Sequence, residues 1–421
     1  MNLYDLSKLI DASLDEKFYK IKVNAFKTST IGLKKNDVFI AINTGHNYLK
    51  TIKKCKAVIV ENDFKSDLFP VLKVSDTKEA LRKIAAYSRL KYKGTVIAIT
   101  GSNGKTTTKE LLAHVLSSTY KVFKSYKNMN NMLGVPINVL SLTKSKYAIF
   151  ELGMNQKGEI EKLSQIVKPD IAIITNIGTA HLGAFKNQEE LFKEKLKISR
   201  SETKLFVNGL DEFLKKSNGI KVDLKNDLFE IYNIKENPDC INFDLKIDKT
   251  YHVKYMVSNI KQLNNVALVI YVSLYLGVKS TKIVKSLNSF KSLENRMEII
   301  KLKDKIVING SYNSNYESLM SGLDTLKNYS LDKICVIGSI LELGKHESSI
   351  YKKISTNLNQ DYNYIFVGNN IKANNSIYFK DVYELIDYYY LNKDLFRNKV
   401  IYVKGSNGVK LIEFVNVIKN I

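Results

Sequence analysis

Residues 95–108 read Thr95-Val-Ile-Ala-Ile-Thr-Gly-Ser-Asn-Gly-Lys-Thr-Thr-Thr108. A β-branched apolar run passes directly into a glycine-bearing turn, and the segment after it carries Leu111, Leu112, Val115 and Leu116 on one helical face. Strand, glycine turn and helix in that order form the context of a phosphate-binding loop. Gly101 and Gly104 let main-chain N–H groups approach phosphate oxygens, Lys105 sets a cation against the β- and γ-phosphates, and the Thr106 hydroxyl is a ligand for Mg²⁺. Ile99 stands where the general Walker pattern has its first glycine, so the loop is a variant. The competing reading is a glycine turn that only caps a helix.

The same alternation of short apolar run, turn and helical segment continues from Lys93 onward, which is the pattern of an α/β protein with buried parallel sheets. Strands are expected at 95–100, 147–151 and 171–176, and in a separate sheet at 306–309, 333–338, 364–368 and 400–404. Residues 205–256 alternate more loosely around Pro238 and read as antiparallel edge strands. A helix is expected over 259–276, closed by Gly277, and before Lys93 strands at 37–42 and 57–60 precede a helix at 78–90. The 421 residues therefore divide into three α/β domains, 1–92, 93–292 and 293–421.

Two strand ends carry further chemistry. Glu151 closes an apolar strand after the phosphate loop, where a second Mg²⁺-directed group sits in P-loop enzymes. Asn176-Ile-Gly-Thr-Ala-His-Leu182 follows the next strand and brings His181 to the same end of the sheet. Between them, Lys127-Asn-Met-Asn-Asn-Met-Leu-Gly-Val-Pro136 is a loop whose amides serve equally to bind a ligand or to turn the chain.

Composition narrows the partners. There are 65 Lys plus Arg against 42 Asp plus Glu, a formal charge of +23. The lysines are dispersed and travel with abundant Asn, Ile and 25 Tyr, 4 Pro and no Trp, the bias of an AT-rich genome. Without basic blocks, no nucleic-acid partner is expected, and a polyanionic small molecule suits the charge. Cys55, Cys240 and Cys335 are far apart, fitting neither a disulfide framework nor a metal site, so core thiols in a reducing compartment are expected. The first 20 residues carry charge throughout, and the longest apolar runs are of strand length. No membrane contact is expected, and the location is expected to be cytoplasmic.

The run from Gly94 to Ser199 resembles the central domain of the Mur ligases, ATP-dependent amide ligases of cell-wall precursor synthesis. The segments TGSNGKTTTKE, NMNNMLGVP, ELGMNQKGEI and NIGTAHL, and the one ending in Glu194-Lys195, fall in the family's order and spacing. The likeness extends through Glu294-Asn-Arg-Met-Glu298, Ser311-Tyr-Asn-Ser-Asn315, Leu341-Glu-Leu-Gly344 and Val403-Lys-Gly-Ser406, and more faintly through Ser29 to Val60. It is strongest to the branch that adds D-alanyl-D-alanine to UDP-N-acetylmuramoyl-tripeptide.

The resemblance implies an N-terminal domain that binds the UDP-linked substrate, a central P-loop ATPase domain with a mainly parallel sheet, and a C-terminal Rossmann-like domain in a monomeric enzyme. It implies ATP contacts at Gly101, Ser102, Asn103, Gly104, Lys105, Thr106, Thr107, Asn265, Arg296 and Asn309. Substrate contacts fall on Ser29, Asn130, Asn131, Tyr312, Asn313 and Asn315. Thr106, Glu151, His181 and Lys195 would hold Mg²⁺, with Lys105, Glu151, His181 and Lys195 as the catalytic set. Lys195 matches a lysine that is carbamylated in relatives, and it also reads as one of three solvated lysines with Lys193 and Lys197.

The departures from the family pattern are specific. Asn309-Gly310 stands where aspartates are usual, Ser339 replaces an acid, 259–265 lacks a Gly and a His, Thr30 replaces an Arg, and the loop at 44–47 is shortened. They leave open a ligase for a different carboxylate, or an ATP-binding relative without ligase activity.

Overall fold

Strands that are apolar on both faces must be covered from both sides, and the strand that opens the phosphate loop is placed accordingly. The structure, a computed structural model, describes residues 1–257 and 259–420. Thr95–Thr100 lies inside a six-stranded, all-parallel sheet ordered Ile220–Val222, Lys204–Asn208, Ile171–Ile174, Thr95–Thr100, Tyr147–Glu151, Val122–Lys124. On one face pack the helices Lys105–Ser117 and Leu263–Tyr275, with Leu111, Leu112, Val266 and Ile270 wholly buried. On the other lie Gly134–Leu140, Glu159–Val167 and Gln188–Leu196, around Phe150, Ile160 and Leu163.

The expectation of antiparallel edge strands over 205–256 is corrected in its first half. Lys204–Asn208 and Ile220–Val222 extend the parallel sheet, and only Glu230–Glu236, Ile241–Lys246 and Thr250–Tyr255 form an antiparallel sheet. At the sheet's margin these two strands keep exposed or partly exposed positions at their starts, unlike the wholly buried strand Ile171–Ile174 beside them. The helix expected from 259 begins as a 3₁₀ turn, Ile260–Gln262, and becomes α-helical at Leu263. Gly277 follows it with φ +78°, as the stop signal requires.

Near the N-terminus four parallel strands, Ala25–Lys27, Asp37–Ile40, Ala57–Val60 and Val71–Lys73, form a smaller sheet. The helix Thr77–Leu90, capped by the Asp76 carboxylate accepting from Lys78 N and Glu79 N, belongs to two cores. Leu81 and Ile84 bury against the small sheet, whereas Ala85 joins the core of the large one. Arg89 completes the junction, donating from Nε to Val167 O at 2.6 Å.

The last sheet runs Glu298–Lys301, Lys305–Gly310, Lys399–Lys404, Asp332–Gly338, Asn363–Val367, Ser376–Phe379, parallel except for its first strand. Ligands of open parallel sheets bind beyond the strand C-termini. Those ends of the central and last sheets line one cleft of ≈ 810 Å³, which contains residues following Thr100, Glu151, Ile174, Gly310 and Lys404. All three cysteines are buried and free. Among the described residues, no helix is long and apolar enough to cross a membrane.

Candidate active site

The phosphate loop is shaped by its glycines. Gly101 has φ +148°, and a Cβ there would fall 1.9 Å from Thr175 Oγ1, so no other residue fits without displacement. Gly104 has φ +79° and lies under the Asn265 amide, 2.5 Å from where its Cβ would be. The helix Lys105–Ser117 starts at Gly104 with no side chain capping it. Its first N–H groups and dipole are thus directed at the cleft, which makes an anion site. The loop is braced from the neighbouring strand end: Asn176 Oδ1 accepts from Asn103 N at 2.9 Å, and Thr175 Oγ1 donates to Asn103 O at 2.5 Å.

Thr106, Glu151 and Asn130 meet directly. The Thr106 hydroxyl donates to Glu151 Oε2 at 2.7 Å and Asn130 Nδ2 to Glu151 Oε1 at 2.7 Å. Glu151 is 2 % exposed. Lys109, completely buried, sits 3.9 Å from Glu151 Oε2 and donates to the main-chain oxygens of Ser125 and Lys127, both at 3.0 Å. It holds the carboxylate's surroundings in place.

Besides Lys109, the basic side chains of Lys105, Lys195, Arg296 and Lys404 belong to this region. Lys105 Nζ donates to Gly101 O at 2.7 Å and Ser102 O at 3.2 Å. Burial pushes its ammonium below the usual lysine range, Glu151 and Glu342 pull the other way, and Arg296 pushes it further down. Lys195 is 1 % exposed. Burial drives it well below the lysine range, with Lys105 repelling it and Glu194 attracting it. Its helix buries Leu191, Phe192, Glu194 and Lys195 and leaves Lys193 exposed. The reading of Lys195 as a solvated surface lysine is therefore overturned. Arg296 lies flat against Tyr312, 3.8 Å from the ring centroid, and burial lowers its pKa also. Lys404 completes the group at the end of its strand.

The cleft lining includes Ser102, Asn103, Gly104, Lys105, Thr106, Thr107, Asn130, Asn131, Glu151, His181, Asn265, Arg296, Tyr312, Asn313 and Asn315. Gly101 lies beneath the loop, and Lys195 stands behind Lys105. Two residues are not brought to the cleft. Asn309 is 0 % exposed and its amide is fully used: Nδ2 donates to Asn295 Oδ1 at 2.7 Å and Glu298 Oε2 at 3.1 Å, and Oδ1 accepts from Ser311 Oγ at 2.7 Å. Ser29 is exposed near the small sheet, its Oγ accepting from Ile31 N at 3.2 Å. The loop at 44–47 is folded into the 3₁₀ segment Asn43–Thr51.

Residues passed over in the sequence close the cleft. Glu317 Oε2 accepts from Thr179 N at 3.0 Å and Thr179 Oγ1 at 2.8 Å. Asn315 Nδ2 donates to Asn103 Oδ1 at 2.9 Å, and His181 Nδ1 lies 2.6 Å from Glu342 Oε2. The His181 contact holds the Glu342 carboxyl below its usual range, against a smaller opposing effect of burial. Each pair joins the phosphate-loop side to the last sheet. The capping box that begins the helix Tyr316–Thr325, with Asn315 as N-cap and Ser318 three residues on, was the available signal for Glu317 in the first turn.

Glu317→Ala removes two charge-assisted hydrogen bonds, about 2 kcal/mol of closure free energy. It is expected to give a larger radius of gyration than wild type in solution scattering without nucleotide. An unchanged radius would show that Glu317 does not hold the cleft closed.

An uncapped helix N-terminus beneath a glycine loop, a buried hydroxyl–carboxylate pair and an excess of buried cations define a nucleotide-dependent phosphoryl-transfer site. The Mur ligase middle domain matches residues 99–273. The UDP-N-acetylmuramoyl-tripeptide–D-alanyl-D-alanine ligase of Rickettsia prowazekii is 33% identical, covering 94% of this chain and 95% of its own length. A crystal structure of MurF from Acinetobacter baumannii superposes with TM-score 0.88 at 26% identity, covering 98% of both chains. A MurF ligase from Thermotoga maritima, solved in complex with ADP, shares the fold with TM-score 0.83 at 24% identity, covering 94% of this chain and 97% of its own. The chain belongs to the Mur ligase family.

Proposed function

We propose that this chain is an ATP-dependent ligase that joins the terminal carboxylate of UDP-N-acetylmuramoyl-tripeptide to the amine of D-alanyl-D-alanine, in the synthesis of peptidoglycan precursors. The observation that carries the nucleotide part is the pair Lys105 and Arg296, two cations lining the cleft beside an uncapped helix start, with burial holding both below their ordinary pKa. Each of these cations is stabilised by the arrival of a polyphosphate. The acceptor and the dipeptide follow from the relatives' named activity over nearly the whole chain.

The donor set suits Mg²⁺. Thr106 and Glu151 offer hard oxygen ligands side by side. Among the described residues, no group of three or more His, Cys, Asp or Glu makes a metal cage by itself. A cation that keeps waters and takes phosphate oxygens needs none. Bound there, Mg²⁺ would neutralise charge on the transferring phosphoryl group. Lys105 binds the β- and γ-phosphates, which frees the carbonyls of Gly101 and Ser102; the carboxylate oxygen of the acceptor attacks the γ-phosphorus, the bond from that phosphorus to the β–γ bridging oxygen breaks, and ADP leaves with the electron pair, giving an acyl phosphate. The contacts of Glu317, Asn315 and Glu342 across the cleft exclude water from that intermediate. The amine then attacks the acyl carbon and phosphate leaves.

We further propose that 1–92 binds the UDP moiety, 93–292 the nucleotide, and 293–421 closes over both. We propose also that the enzyme works as a cytoplasmic monomer, as the family resemblance implies. Glu151→Gln and His181→Ala should each raise the Mg²⁺ concentration for half-maximal rate, by about tenfold for a loss of ~1.4 kcal/mol. An unchanged Mg²⁺ dependence in both variants would move the metal elsewhere. The test of the function is phosphate release from ATP and Mg²⁺ with a panel of UDP-muramoyl peptides, with and without D-alanyl-D-alanine. Release is expected only with both substrates present. Release with a different carboxylate and none with the tripeptide would reassign the acceptor.

A further inference from the structure

Lys404 has no part in the steps above, although it occupies a central place in the cleft. It ends the strand Lys399–Lys404, between Lys305–Gly310 and Asp332–Gly338, where the strand C-termini meet the cleft. Its side chain is 7 % exposed. Nζ donates to Asn313 O at 2.6 Å and Gly310 O at 3.4 Å. Both acceptors are main-chain carbonyls, which serve a neutral amine as well as an ammonium.

The charged group acting on Lys404 is a cation, Arg296, stacked on Tyr312. Its register neighbours Gly310 and Ile337, and the residues Gly405, Ser406 and Asn407 that follow it, bring no ionisable side chain. Lys105 and Glu342 line the same cleft and interact with each other. Burial, with Arg296 second, brings the Lys404 amine down to about 7. An α-amino group titrates at about 8, so the two amines are matched for proton transfer at neutral pH.

We propose that Lys404 is the general base for the incoming amine, receiving its proton as that amine attacks the acyl phosphate; this rests on the ligase reading. The amine nitrogen's lone pair forms the N–C bond, the carbonyl π pair moves onto oxygen, and one N–H proton passes to the neutral Lys404 Nζ. The carbonyl then re-forms, and the C–O bond to phosphate breaks with its electron pair on the leaving phosphate. Lys404 returns its proton to solvent. The carbonyls of Gly310 and Asn313 hold the amine in place during the transfer.

The test uses the full chain, wild type, Lys404→Met and Lys404→Arg, between about pH 6 and pH 9, spanning both amines. Three acceptors are compared: D-alanyl-D-alanine, its C-terminal amide, and hydroxylamine, a weakly basic nucleophile that traps the acyl phosphate as a hydroxamate. Both variants are expected to lose about 100- to 10,000-fold in rate with the dipeptide. The loss should be the same with the amide, while hydroxamate formation stays within about twofold of wild type, which also reports intact folding. Protonation of the dipeptide amine lowers the rate of every enzyme form below about pH 8; wild type should show a second loss on the acid side of about 7, and that added loss should vanish in the variants. Recovery by Lys404→Arg, or a smaller loss with the amide, would make Lys404 a carboxylate-holding cation and overturn the proposal. Loss of hydroxamate formation in the variants would place Lys404 before the acyl phosphate and overturn it too. Absence of hydroxamate formation in wild type would instead overturn the ligase reading.

Discussion

Replacing Lys105 with methionine is expected to lower ATP turnover by about 1,000-fold without lowering the thermal midpoint of the nucleotide-free protein. The two outcomes have one cause. Without nucleotide, the Lys105 ammonium is held by the carbonyls of Gly101 and Ser102, buried and close to the positive charge of Arg296. Its pKa is lower in the folded chain than in the unfolded one. Below the unfolded pKa, holding the charge in the fold is therefore a cost, and an apolar side chain of similar length escapes it. With nucleotide, the same charge meets phosphate oxygens and stabilises the transferring group. Turnover within about tenfold of wild type would remove Lys105 from the phosphate site.

Lys195→Ala is expected to be nearly inactive, by about 100- to 1,000-fold. An ammonium buried beside Lys105 is repelled, so the amine is biased to its neutral form. A neutral buried amine is a nucleophile for carbon dioxide. The resulting carbamate would carry negative charge, attract Lys105 and supply oxygen to Mg²⁺. Acetate or formate should partly restore the alanine variant by occupying the vacated space. Bicarbonate should stimulate freshly purified wild type, and an intact mass should exceed the sequence mass by one carbon dioxide. Full activity in Lys195→Ala, with no effect of either additive, would leave the lysine a structural amine.

What the sequence disclosed follows how local each feature is. The loop from Gly101 to Thr106 is contiguous, and its flanking strand and helix have their own periodicity, so its chemistry could be read directly. Glu151 and His181 were reachable because one ends an apolar strand and the other lies in the loop that follows the next, and parallel strands deliver their ends to one edge. Lys195 was ambiguous between Lys193 and Lys197, although Leu191 and Ile198, also buried, mark its face of the helix. Glu317, Glu342 and Lys404 gave weaker signs, a capping box, a motif segment and a strand end, none of which pointed to the cleft they enter. They belong to a second sheet whose approach to the first is set by tertiary packing, to which no local pattern responds. Asn309 shows the reverse failure. The resemblance implied an ATP contact there, but the neighbouring Asn295, Glu298 and Ser311 absorb all its hydrogen-bonding capacity.

Activation of the acceptor carboxylate by phosphoryl transfer in this cleft has a direct isotopic signature. With UDP-N-acetylmuramoyl-tripeptide labelled with heavy oxygen in its terminal carboxylate, and with ATP, Mg²⁺ and D-alanyl-D-alanine present, the acyl phosphate carries a labelled bridging oxygen. Each amide bond formed should then release one inorganic phosphate containing one heavy oxygen, read by mass spectrometry. Amide product accompanied by unlabelled phosphate would contradict the acyl-phosphate route.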